Sequence, residues 1–391
     1  MAKVYFTPYG VGLGHASRLI MVAEILKKVG VNVHFSSFGE AASYILMHGY
    51  DCETVPALDF AWSAQGGFSI QDSVANIPHW LVNFSRQIRC EAYSIAKYNP
   101  QIVVSDSRLS SILSARILGI PSVVILNQIK LLLSPRLRQF RVARLFEKIN
   151  GEILGLMWTV ADRILVPDLP PPYTIAEYSI WGMNSVRSKL EYIGFTTPKL
   201  SISQERIGLA LDTLGFKLSD PIIFVHISGP ASTRAPFAKI AIEACKALRS
   251  NIQYVISEGR PTGDTRPRKL GDRGWYYQWC PIRDEIFAMS DLVVLRGGHA
   301  AISQAVQFGK PIVSIPIDNH GEQIGNSQKI SKIGSAIMIR TRQLKACHIT
   351  EAIHKIIDDT IYQKKADELL KLSLKLDGID NILKIVNSYL T

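Results

Sequence analysis

No stretch of about 18 apolar residues is free of charge, so no transmembrane helix is expected. The longest apolar region, Leu109 to Leu126, is interrupted by Arg116, Gly119 and Pro121. No charged leader with an apolar core precedes the first strand pattern, Val4-Tyr5-Phe6, which argues against a secretory signal peptide. The five cysteines, Cys52, Cys90, Cys245, Cys280 and Cys347, lie far apart. None has a partner at metal-ligand or redox spacing, so they read as thiols of a reducing, cytoplasmic compartment. No repeat of helical-solenoid length occurs. No surface motif interleaves basic and aromatic residues, so nucleic acid is not an expected partner.

The 391 residues exceed what one core usually holds, so two domains are expected. Net charge is +11, from 44 basic and 33 acidic residues. That balance suggests an anionic partner such as a phosphorylated substrate or an acidic membrane surface, although a generally basic proteome produces it too.

Strand patterns at Val4–Phe6, Val31–Phe35, Cys52–Val55, Gln101–Ser105 and Ser122–Leu126 alternate with helical ones at Ser17–Val29, Gly39–His48 and Ser110–Leu118. This rhythm indicates a doubly wound parallel α/β sheet, with ligands at the carboxyl ends of its strands. Phe60 to Asn83 shows little periodicity and reads as a loop that meets an acceptor substrate. Leu190 to Ile193 reads as the last strand of the first domain. A second α/β series starts at Ile222–His226. It continues through Ile252–Ile256, Trp275–Tyr277, Leu292–Leu295 and Ile312–Ile315, with a final helix at Asp377–Leu390.

The loop after the first strand contains Gly10, Gly12, Gly14 and His15. Its glycines follow G-x-G-x-G, and Phe35-Ser36-Ser37 replaces an acidic residue at the second strand's end. Dinucleotide binding is therefore not expected. Glycines here still imply tight turns and close backbone approach to a ligand. His15, at a helix N-terminus, is a candidate general base, or else a cap. Asp106 ends the fourth strand. It can fix the tautomer of a histidine or cap the next helix.

In the second series, Ser228-Gly229-Pro230-Ala231-Ser232-Thr233-Arg234 leads into a helix expected from Ala235. Free backbone donors at a helix N-terminus favour phosphate. Lys130, Arg136, Arg138, Arg141, Arg144 and Lys148 cluster beside an apolar stripe of Val142, Leu145, Ile149, Ile153 and Leu156, after Leu131-Leu132-Leu133. The pattern suits a membrane surface or a lipid phosphate. It equally suits a core helix with a solvated basic face.

The G-x-G-H loop and the stretch from Trp279-Cys280-Pro281 to Asn326 together resemble the GT-B glycosyltransferases, nearest the MurG-type (family 28) enzymes and the UDP-glycosyltransferases. The resemblance implies two Rossmann-like domains facing across a cleft. Residues 1–194 would bind the acceptor and 195–372 the nucleotide-sugar, and 373–391 would form a C-terminal helix packing back on the first domain. It further implies a catalytic pair of His15 and Asp106, with Gly12 and Gly14 in the glycine loop. Ser228, Gly229 and Arg234 would hold the donor diphosphate, and Trp279 and Cys280 would meet the base. Arg296, Gly297, Gly298 and His299 would lie under the phosphates, beside Ser303. Glu322, Gln323 and Asn326 would hold sugar hydroxyls. Gln304 stands where the family usually has a glutamate on the ribose diol.

The implied activity is metal-independent, inverting transfer of GlcNAc or another hexose from a UDP-sugar. The acceptor would be a lipid-linked or membrane glycan, reached from the inner face of a membrane. The absence of an Asp-x-Asp pair agrees with no cofactor or metal. Two other readings fit the same residues: a nucleotide-sugar epimerase, and a non-catalytic UDP-sugar-binding subunit.

Overall fold

The computed structural model describes all residues except Met1, 59–76, 134–135, 198–201, Pro230, Pro261, Gln343 and Thr391. The chain forms two compact units: one of residues up to Pro198 together with Leu376–Thr391, the other essentially Lys199–Lys375.

The first unit is built on seven strands: β1 Lys3–Pro8, β2 Asn32–Ser37, β3 Cys52–Thr54, β4 Ile102–Asp106, β5 Ser122–Ile125, β6 Arg163–Val166 and β7 Leu190–Tyr192. Their order is β3-β2-β1-β4-β5-β6-β7, and each neighbouring pair is parallel. Val4, Phe6, Val103 and Val104 are buried, as expected of strands covered on both faces. The chain fills one side of β1 first and then crosses to β4. The β1–β4 boundary is therefore a topological switch point, and there Pro8 is in register with Asp106.

The helix Leu13–Lys28 follows β1 and places Leu19, Val22, Ala23 and Leu26 in the core. The last helix, Gly378–Asn387, adds Ile382, Ile385 and Val386 to the same core. Each such burial stabilises by roughly 1.5–3 kcal/mol. Asp377 caps this helix, accepting the amides of Ile379 and Asp380.

One expectation needs correction. The loop anticipated to reach Asn83 ends earlier, because a helix spans Ile77–Tyr98; residues 60–76 of that loop lie outside the described residues. Pro78 sits in the first turn, where no backbone donor is required. Beyond it Phe84, Ile88, Ala92 and Ile95 recur at helical spacing. The helix's inner face carries Gln87, Glu91 and Ser94 beside Ile95, all buried.

The second unit has β8 Ile222–His226, β9 Gln253–Ser257, β10 Arg268–Lys269, β11 Gly274–Tyr277, β12 Leu292–Leu295, β13 Ile312–Ser314 and β14 Ala336–Met338. The order is β10-β11-β9-β8-β12-β13-β14. Only β10, paired with β11, is antiparallel. The short edge strand β14 was not anticipated. The switch point lies between β8 and β12. The helix after β8 runs Ala231–Lys246 and so begins ahead of Ala235. Ser232, Thr233 and Arg234 therefore belong to its first turn and not to the loop.

Candidate active site

The first unit assembles a histidine–carboxylate pair at its switch point. After β1, the Tyr9 amide donates to the Asp106 carbonyl at 2.9 Å. Gly10 packs against Phe38 so closely that a Cβ would lie 2.2 Å from the ring. Gly12 has φ +76° and turns the chain into the helix. His15 thus sits in the first turn, with its Nδ1 2.6 Å from Asp106 Oδ1. Asp106 is fully buried, while the His15 side chain keeps 22% exposure. An ionised carboxylate only accepts, so Nδ1 carries the hydrogen; in a neutral imidazole Nε2 is then the nitrogen with the lone pair. That is the arrangement of an oriented general base.

Further residues complete the pair. The buried Arg18 places Nε 2.7 Å from Asp106 Oδ2. It lies three residues after His15, on the same helix face, so the spacing offered a signal that was not used. Ser107 donates to Asp106 Oδ1 at 3.2 Å and holds φ +62°, a conformation that persists only where its surroundings impose it. Next to it the buried Arg108 pairs with Glu91 and donates to the Ser36 carbonyl at 2.7 Å. Burying this ion pair anchors the turn behind the carboxylate.

In the second unit the loop after β8 is closed on itself. Arg234 Nε donates to the Gly229 carbonyl at 2.8 Å, and Gly229 holds φ +107°. After β12, Arg296 is buried to 3% exposure, with its guanidinium 4.5 Å above the Phe237 ring. No salt bridge joins it to a carboxylate among the described residues, and its Nε has no hydrogen-bond partner. Burial pulls its pKa down to about 10. A buried cation without an anion is the feature most in need of a ligand here. Gly297, with φ +80°, packs where a Cβ would meet Ser327 Oγ at 2.4 Å. Gly298 caps the helix His299–Gln307, and a Cβ on it would meet nothing within 4 Å. His299 is buried, and its carbonyl accepts from Ser303 Oγ at 2.9 Å.

Other candidates turn towards the protein. Asn326 Nδ2 donates to the Gly297 carbonyl at 3.3 Å, and Gln323 Oε1 accepts the Ile317 amide at 3.0 Å. Both are buried, whereas Glu322 of the same helix, Gly321–Ile333, is half-buried. The Trp279 amide donates to the Asp264 carbonyl, and burial pushes the Cys280 thiol up to about 12. Gln304 Nε2 donates to Asp284 Oδ1 at 2.9 Å, and Arg283 donates to the same oxygen. Sequence reasoning missed Asp284, which lies 20 residues from Gln304.

In the basic segment, Lys130 Nζ donates to the Trp181 carbonyl at 2.7 Å and Arg138 pairs with Glu147. Arg136, Arg141 and Arg144 are exposed. No cluster of three or more His, Cys, Asp or Glu side chains suited to a metal occurs among the described residues. No described helix is long and apolar enough to cross a membrane.

Comparison with known proteins bears on the family and the fold. Residues 238–382 match the glycosyltransferase family 28 C-terminal domain, and residues 2–141 match glycosyl transferase family 1. A protein described as an uncharacterized glycosyltransferase of Methanosarcina acetivorans is 27% identical over 389 residues, covering 98% of this chain and 97% of its own. A UDP-N-acetylglucosamine--N-acetylmuramyl-(pentapeptide) pyrophosphoryl-undecaprenol N-acetylglucosamine transferase of Geobacillus kaustophilus is 29% identical over 136 residues, 31% of this chain and 37% of its own. Among solved structures, the glycotransferase of kitacinnamycin superposes with a TM-score of 0.70 at 15% identity, covering 100% of this chain and 99% of that one. The spinosyn rhamnosyltransferase complexed with thymidine diphosphate gives 0.66 at 15%, covering 99% and 100%. Fold and matches define the class: the chain is a glycosyltransferase of GT-B type. Both its units are the parallel-sheet α/β domains of that fold.

Proposed function

We propose that the protein transfers a hexose, GlcNAc foremost, from a UDP-sugar to a lipid-linked acceptor with inversion at the anomeric carbon. The observation that carries the reading is the His15–Asp106–Arg18 array at the β1–β4 switch point. The acceptor hydroxyl oxygen bonds to the anomeric carbon, and its proton passes to His15 Nε2. The bond from that carbon to the diphosphate breaks, and the nucleoside diphosphate leaves with the electron pair. Arg296 and the N-termini of the helices Ala231–Lys246 and His299–Gln307 would stabilise the departing charge. The step invokes no metal.

Asp284, oriented by Gln304, supplies a carboxylate where Gln304 itself has none. Among the described residues its donors all use Oδ1, so Oδ2 can accept from a ribose hydroxyl with charge assistance. A UDP-sugar is supported by the Geobacillus enzyme, named for UDP-N-acetylglucosamine and an undecaprenol acceptor; the fold neighbour complexed with thymidine diphosphate supports a nucleoside diphosphate without fixing its base. The exposed basic residues Arg136, Arg141 and Arg144 support an acceptor held at the cytoplasmic face of a membrane.

The test is thermal stabilisation by UDP, UDP-GlcNAc, UDP-glucose and dTDP-sugars, followed by turnover with the best donor. Stabilisation by a UDP-sugar above all others is expected. No stabilisation by any of them refutes the donor reading. Turnover of the UDP-sugar to its epimer without an acceptor replaces transfer with epimerisation.

A further inference from the structure

We infer that the helix Arg141–Trp158 is a membrane-surface element that lies in the headgroup layer of an anionic bilayer. Its apolar face points away from the protein. Val142, Leu145, Phe146, Ile149, Ile153 and Leu156 are each 50% to 78% exposed. At 100° per residue they share an arc of about 100°. The opposite face holds Glu147, Gly151, Gly155 and Trp158, all buried.

That inner face cannot be exchanged for the apolar one. A Cβ at Gly151 would lie 3.0 Å from Met183 Sδ, and one at Gly155 would lie 2.6 Å from Ser185 Oγ. Only glycine lets the helix backbone approach this closely. Polar side chains then fix the helix roll. Glu147 accepts the Leu133 amide at 2.7 Å. Glu152 accepts the amides of Asn184 and Ser185 at 2.9 and 3.0 Å, which lowers its pKa. Asn150 accepts the Leu131 amide at 3.3 Å.

Charge selects the occupant. Arg141 and Lys148 flank one edge of the stripe, Arg144 lies further round the helix and Arg136 precedes it, all exposed. None of the three arginines forms an ion pair among the described residues. The helix's own acids, Glu147 and Glu152, are held by the backbone bonds just described. A second copy would bring like charge to this edge, whereas anionic headgroups complement it by about 1 kcal/mol per basic residue. Apolar side chains add about 0.8 kcal/mol per buried CH₂. The inference deepens the lipid-acceptor reading by naming the surface that meets the lipid, and its test needs no turnover.

The full chain is sedimented with vesicles of phosphatidylcholine, with and without phosphatidylglycerol. Binding to the phosphatidylglycerol vesicles, weakening with salt, is expected. Leu145→Glu with Ile149→Glu, and separately Arg141→Glu with Arg144→Glu, should each reduce it about tenfold or more. All four positions are exposed, and circular dichroism checks the fold. The emission of a Phe146→Trp variant should shift to the blue on adding the same vesicles. Wild-type protein left in the supernatant, or Leu145→Glu/Ile149→Glu binding like wild type, overturns the inference. So does a dimer in analytical ultracentrifugation that this variant alone dissociates. Donor stabilisation by UDP-sugars is read separately, so the two readings fail independently.

Discussion

Arg296→Met is expected to stabilise the unliganded protein and remove its response to a nucleoside diphosphate. Burial lowers the arginine's pKa from its ordinary value to about 10, which disfavours the charged side chain by roughly 3 kcal/mol. For a base whose folded pKa is lowered, this penalty is present at all pH values below about 10 and fades as pH rises from there towards the ordinary arginine value. The Phe237 ring returns up to about 2 kcal/mol through its face. The remainder, about 1 kcal/mol, should appear as added stability when an unbranched apolar side chain takes the same path. For a unit of this size that corresponds to a rise in Tm of about 2–4 °C. The wild type should gain about 2.7 kcal/mol from UDP at a hundred times its Kd, and the variant far less at the same concentration. Differential scanning calorimetry with and without UDP reads both effects. A variant that is less stable than wild type, yet fully stabilised by UDP, would show that Arg296 is a structural cation.

His15→Ala should lower kcat about 10²-fold or more with little effect on donor-induced stabilisation; near-full activity sinks the base assignment and leaves His15 a positioning role. Asp106→Asn should lower kcat by a similar order while circular dichroism stays unchanged, because the neutral amide no longer selects the tautomer. Asp284→Asn should weaken UDP about tenfold and abolish the preference for UDP over its 2′-deoxy analogue; calorimetric titration would reject the assignment if that preference survived. Burial lowers the His226 pKa to about 3, so as pH falls through 6.5 the unfolded chain takes up a proton first and stability declines until about pH 3. His226→Leu should remove on the order of 1–2 kcal/mol of that loss by pH 5, and an unchanged acid limb in urea unfolding would contradict it.

The parts of the site that could be read from the sequence are those encoded by neighbours in the chain. Val4-Tyr5-Phe6 followed by spaced glycines announces a strand, a tight turn and a helix start. Asp106 is marked by its place directly after Ile102–Ser105. The partners that complete the site come from elsewhere in the fold. Asp284 reaches Gln304 across 20 residues, and Glu91 meets Arg108 from a helix with a polar inner face. In Ile77–Tyr98 the apolar spacing of Phe84, Ile88, Ala92 and Ile95 is legible, whereas the buried pairing of Glu91 with Arg108 is not, because periodicity does not report ion pairs. The sequence places Ser232 to Arg234 in a loop, whereas in the structure the helix already begins at Ala231 and carries Pro236 inside it.

The helix Arg141–Trp158 poses a different problem. A helical period locates an apolar stripe but carries no sign: the same spacing describes a core face and an outward one. What breaks the tie is the opposite face. A helix burying its leucines against a sheet has no need of small residues on its solvent side, where glycine lowers helix stability by about 1 kcal/mol per residue. Gly151 and Gly155, four apart and directly opposite Val142, Ile149 and Ile153, accept that loss because the backbone touches Met183, Ser185 and Val186 there. Two glycines at helical spacing against an apolar stripe, with a glutamate on their own side, therefore indicate a helix that is anchored by its polar face and offers the apolar one. Replacing Gly155 with valine separates the two orientations. An outward apolar face requires a destabilisation of about 1–3 kcal/mol from overpacking. A helix packed by its apolar stripe would leave Gly155 in solvent and tolerate valine, a change that urea unfolding would record as no loss.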